Sequence, residues 1–95
     1  MNKGDIVTLV TPMGEVVGRL VSHLHITDVT NVTLSSPRLF VNSQDGQGFA
    51  PGICMTGERE PAQLNFNTAL ILSVVETDKD VAKGWTEATS SIVLS

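Results

Sequence analysis

The sequence predicts an all-β domain: a small, bent antiparallel barrel followed by a short C-terminal helix. Three observations predict it. Residues 4–34 read as a strand, a tight turn, a long strand with an internal glycine, a polar break and a third strand. The second strand alternates with period two, as a strand with one buried face must. The most apolar run, residues 68–75, leads directly into a helix start signal. We expect one domain over residues 1–95, with the barrel at about 4–76 and the helix and tail at 77–95.

Ile6-Val7-Thr8-Leu9-Val10 is rich in β-branched residues and forms strand one. Thr11-Pro12-Met13-Gly14 is a turn, because Pro presets φ at its second position and Gly suits its fourth. Strand two runs over about residues 15–25. Its even face carries Val16, Gly18, Leu20, Ser22, Leu24 and Ile26, and should face the core. Its odd face, Val17, Arg19, Val21, His23 and His25, is mixed. Gly18 on the core face marks a bend or a close backbone approach, which a small barrel needs.

Thr27-Asp28 breaks the chain, and strand three follows over residues 29–34. Ser35-Ser36-Pro37 interrupts it. Arg38-Leu39-Phe40-Val41 then resumes, either as strand three after a bulge or as a new strand. Residues 42–52 are polar and Gly-rich and read as a loop. Residues 53–56 are strand-like, residues 57–61 turn, and residues 62–66 offer one more strand. The run TALILSVV at 68–75 is apolar on both faces, so it should be covered on both sides. In so small a chain that implies a contact with another copy. Thr77 reads as a helix N-cap, with Asp80 completing a capping box. Val81, Ala82 and Trp85 give the helix a narrow apolar stripe, and Gly84 weakens it. Residues 90–95 form a last strand or an ordered tail.

Hydrophobic residues make up 41% of the chain and charged ones 17%, a composition that favours oligomerisation in a small domain. Cys54 is the one cysteine, which rules out an intramolecular disulfide. Met1-Asn2-Lys3-Gly4 leads straight into a strand, so no secretory signal is expected, and a cytoplasmic protein is the simple reading. The formal net charge is −4, and Lys3, Arg19, Arg38, Arg59, Lys79 and Lys83 form no basic run. That balance counts against phosphate-driven binding.

Candidate chemistry is sparse. His23 and His25 share a strand face, with Asp28 close behind, as some metal sites begin. No further His and no second Cys completes the set, and two surface histidines are the plainer reading. A lone Cys54 with no recognisable surroundings reads as a small apolar residue. Asp45, Glu58 and Glu60 read as solvated loop charge. The glycines of the 43–52 segment lack the Gly-Lys-Ser/Thr of a phosphate loop. We therefore expect no enzyme, no metal and no cofactor. Aromatic residues are 4% of the chain. Phe40 and Phe66 look like core, while Phe49 in a loop, or His23 or His25, offers a base a ring to stack on, with ordinary packing or exposure as the plainer reading.

Gly14, Gly18-Arg19-Leu20, Asp28 and Asn31-Val32-Thr33-Leu34 keep the residue order of the first motif of the Sm and Sm-like family, including the bacterial Hfq type. The chain resembles that family, and in particular the divergent Sm-like proteins of marine phages. The step from Gly14 to Gly18 is shorter than in the family, and that from Leu20 to Asp28 longer. The second motif, Ile-Arg-Gly, has its counterpart in Phe66-Asn67-Thr68, without the Arg-Gly pair. The family's N-terminal helix is replaced by the C-terminal one.

The resemblance implies a strongly bent, five-stranded antiparallel barrel of the Sm-like, SH3-like kind that closes a homo-oligomeric ring of about five to seven subunits and binds RNA or single-stranded DNA without catalysis. It implies that Asp28 and Asn31 face the ring, with Asn67 and Thr68 in the opposing loop. His25 joins them as a stacking ring. It also implies that one subunit's fourth strand pairs with the next subunit's fifth, and a host-cytoplasmic location if the chain is phage-encoded. The alternative is a structural or assembly protein that uses the barrel as an oligomerisation module.

Overall fold

A computed structural model describes residues 1–21, 30–50, 53 and 56–90. It is mostly antiparallel sheet with one short C-terminal helix. Strands β1 (Ile6–Thr11) and β2 (Gly14–Leu20) form a hairpin in which Thr11 faces Gly14. Strand β3 (Asn31–Ser43) pairs with β2 and turns back into β4 (Gly46–Phe49). Strand β5 (Gln63–Asn67) pairs with the first part of β3, and β6 (Ser73–Glu76) pairs with β1. Helix α1 (Lys79–Thr89) ends the described chain.

The two hairpins use the same turn chemistry. In Thr11-Pro12-Met13-Gly14, the Thr11 hydroxyl accepts the Met13 N–H (3.2 Å) and donates to the Gly14 carbonyl (2.8 Å). In Ser43-Gln44-Asp45-Gly46, the Ser43 hydroxyl accepts the Asp45 N–H (3.3 Å) and donates to the Gly46 carbonyl (3.2 Å). Each glycine follows the two-residue loop at positive φ, 133° and 118°, where a Cβ would be strained. The expected loop at 42–52 is thus corrected: residues 42–49 are the end of β3, a tight turn and β4. Phe49, expected as a loop aromatic, packs edge-on against Phe40 with centroids 5.2 Å apart.

The Ser35-Ser36-Pro37 interruption is a bulge within one long strand, not the start of a new one. Val17 faces Arg38 but Arg19 faces Ser35, so β3 carries one residue more than β2 across this stretch. Ser36 takes a left-handed φ of 49°. Opposite it, a Cβ on Gly18 would lie 2.9 Å from both Cβ and Cδ1 of Leu34 and 3.2 Å from the Ser35 carbonyl. The close approach read from the sequence is real, and the missing side chain is its condition. The extra residue also flips the strand's inward parity: Val32 and Leu34 face the core before the bulge, and Leu39 faces it afterwards.

The core is Val7, Leu9, Val16, Leu20, Val32 and Leu34, with Leu39, Ile53, Phe66, Ile71 and Val74 packed against it. The even face of β2 is the core face as far as Leu20. Val21 is described but lies beyond β2, while residues 22–25 of the expected strand two, the break at Thr27-Asp28 and the start of strand three at Val29 lie outside the described residues, as do Cys54, Met55 and residues 91–95. Ile53 and Thr56 belong to no strand.

The sheet runs β4-β3-β2-β1-β6, with β5 on β3. The chain passes from β5 to β6 through a 3-10 turn at Thr68–Leu70. The Thr68 N–H donates to Thr30 on the β3 side (3.0 Å), and the Leu72 N–H donates to Val10 on the β1 side (2.7 Å). So short a crossover holds the two edges near each other, and the sheet must curl. It does not close: among the described residues no ladder joins β5 to β6, and the strands number six. The apolar run 68–75 is therefore not one strand. Ile71 and Val74 turn to the core, whereas Leu70, Leu72 and Val75 are exposed.

Helix α1 covers the outer face. Its N-cap is Asp78, whose carboxylate accepts the N–H groups of Asp80 (3.0 Å) and Val81 (3.3 Å). Thr77, the expected cap, is instead buried and shares a hydroxyl hydrogen bond with Thr8 (2.9 Å). Trp85 is the helix's one fully buried side chain. This cover explains why Val17, on the odd face of β2, is only 1% exposed.

Two glycines should respond oppositely to alanine. Gly18→Ala has no room and should cost about 1–3 kcal/mol in urea unfolding. In Gly84→Ala the new Cβ would lie 3.8 Å from a Phe49 ring carbon, an ordinary contact. That substitution should add roughly 0.5–1 kcal/mol through helix propensity.

Candidate nucleic-acid interface

Three of the five expected site residues meet at one end of the sheet. Asn31 opens β3, Asn67 closes β5, and the register sets them directly opposite each other. Thr68 follows at once. Both its N–H (3.0 Å) and its hydroxyl (3.2 Å) donate to the Thr30 carbonyl, which ties the β5 end to the β3 start. Asp28 and His25 lie outside the described residues.

Asn67 has a structural duty. Its side-chain oxygen accepts the Ala69 N–H (2.8 Å) and so caps the 3-10 turn that carries the chain across the sheet. Asn31 is exposed, and its amide donates to the Thr30 hydroxyl at a long 3.4 Å. The Asn31 amide can exchange this partner for a ligand at little cost.

The pair heads a longer strip. Behind Asn31–Asn67 on the same face come Thr33 opposite Asn65 and Ser35 opposite Gln63. The Thr33 hydroxyl donates to the Asn65 side-chain oxygen. On the other face of the same strands, Val32, Leu34 and Phe66 turn to the core. The signal for the strip was present in residues 63–67, Gln-Leu-Asn-Phe-Asn, where polar amides alternate with apolar residues.

No charged residue stands in this strip. Arg19 borders it opposite Ser35 but is engaged: its Nη1 donates to the Gly4 carbonyl (2.9 Å) and its guanidinium lies 5.4 Å from the Trp85 ring centroid. Arg38 is buried, donates to the Pro37 carbonyl (3.0 Å) and faces Glu60 at 3.7 Å. The array offers neutral donors and acceptors, which suit base edges or other uncharged polar groups rather than phosphates. Among the described residues no three His, Cys, Asp or Glu side chains gather as metal ligands. No described helix is long and apolar enough to cross a membrane.

No family model matches the chain, and no curated protein matches it.

Loss of the cap should be measurable without any ligand. Asn67→Ala should lower stability in urea unfolding by about 0.5–2 kcal/mol, and Asn67→Asp, which keeps the acceptor, should recover most of it.

Proposed function

We propose that this chain is a non-catalytic, Sm-like nucleic-acid-binding protein that completes its barrel in a homo-oligomeric ring and binds RNA or single-stranded DNA. One observation carries the reading: Asn31, which the family resemblance names for base contact, and Asn67, which it sets in the opposing loop, stand opposite each other with Thr68 tied alongside. The neutral strip behind them supports contact with base edges. The ring is supported by the open side of the sheet, where β6 has a free edge among the described residues and Leu70, Leu72 and Val75 are exposed.

The alternative is an assembly protein in which the barrel serves only for oligomerisation. It is favoured by the net charge of −4 and by the internal engagement of Arg19 and Arg38. Nucleic-acid retention separates the two readings.

Light scattering should give a particle several times the 10.1 kDa chain, and Leu72→Glu should return it to the chain mass. Filter binding should detect RNA or single-stranded DNA on the wild-type ring at low salt. Asn31→Ala should weaken retention roughly tenfold while the ring persists, in line with the loss of a bidentate base contact. Affinity should hold or rise between 50 and 200 mM salt, because few counterions are released and repulsion of the phosphates is screened. An intact ring that retains neither nucleic acid sinks the proposal and leaves the assembly reading.

A further inference from the structure

Ser36 is a junction of three elements. Its N–H donates to the Ala62 carbonyl (2.8 Å), one residue before β5 begins. Its carbonyl accepts the Trp85 indole N–H (3.0 Å). Its left-handed φ of 49° is what frees both groups from the β2–β3 ladder. The helix and the entry to β5 therefore hold the same bulge residue.

Of the two elements held there, the helix is otherwise the more lightly secured. Helix α1 buries one side chain, Trp85, and Arg19 lies over that ring. Among the described residues β5 has a single strand partner, the first part of β3. A left-handed conformation in a non-glycine residue is unfavourable and persists only while its surroundings fix it.

We infer that α1 is a strap whose docking, transmitted through Trp85 and Ser36, holds β5 in register on β3 and so sets the Asn31–Asn67 end. When the indole leaves, the Ser36 carbonyl turns to water and the bulge relaxes from positive φ. The Ser36 N–H then leaves Ala62, and β5 loses the bond at its entry. Trp85 is thus a positioning residue acting through Ser36. As regulation of a binding site this rests on the nucleic-acid reading above; the coupling itself does not.

Residue-resolved amide hydrogen exchange on the full chain tests the coupling with no ligand present, so a failure of nucleic-acid binding leaves the result standing. Trp85→Phe keeps the ring bulk and removes the N–H. Asp78→Ala removes the cap at the far end of α1 without touching Ser36. In both variants the slow amides of residues 32–35 and 64–67 should exchange roughly threefold to tenfold faster, with the β1–β2 hairpin at wild-type rates. Acceleration confined to α1, or equal in every ladder, overturns the inference. If Trp85→Phe does not fold, Asp78→Ala decides alone.

Discussion

The fold depends on how closely two strands approach at Gly18. With no side chain there, Leu34 packs into the space a Cβ would take, and β3 carries its extra residue opposite. The bulge divides β3 into two working halves. The first half carries β5 and the second carries β4, so one strand serves two parts of a curled sheet. The parity flip at the bulge lets both halves send side chains to a common core, Val32 and Leu34 on one side and Leu39 on the other. A straight strand would have turned one of these sets to solvent.

Much of this geometry is local and was therefore legible. Strand β1, the Pro-Gly turn, the core face of β2 and the meaning of Gly18 follow from residues that are neighbours in sequence. The β3–β4 hairpin was not legible from composition, since Ser43-Gln44-Asp45-Gly46 looks like any polar loop. Only the hydroxyl three residues ahead of the closing glycine, repeated from Thr11, distinguishes it. The run 68–75 misled for a different reason. Its apolar residues serve two environments, Ile71 and Val74 the core and Leu70 and Leu72 the surface, and the Asn67 cap that divides them bonds across the turn. The helix start shifted from Thr77 to Asp78 because a tertiary partner, Thr8, took the threonine hydroxyl. Within the candidate site, the Asn31–Asn67 pairing needed the β3–β5 register, which no sequence spacing states.

The chemistry of the β3–β5 strip bears on what kind of binding is physically open to it. Each chain carries a net charge of −4, and two of its three arginines are committed to the Gly4 carbonyl and Trp85 or to Glu60. Phosphates approaching such a surface gain no counterion-release term, which usually supplies the non-specific part of the affinity. What the strip can offer is hydrogen bonding at short range, and each neutral bond contributes only about 0.5–1.5 kcal/mol net. A single strip is therefore a weak binder.

That weakness gives the proposed ring a physical role beyond closing the sheet. Repeating the strip around an axis turns the second and later contacts of one strand into intramolecular events, which raises avidity without a new contact. The same repetition multiplies the negative charge, and repulsion of the phosphates grows with it. At physiological salt the screening length is about 8 Å. Bases held against the strip lie within that distance of their own partners, while much of the charge of neighbouring subunits lies beyond it. Screening therefore removes more of the repulsion than of the short-range bonding. A neutral strip in an acidic ring is thus a coherent way to bind single strands by their bases, provided the edges of β5 and β6 find each other between copies.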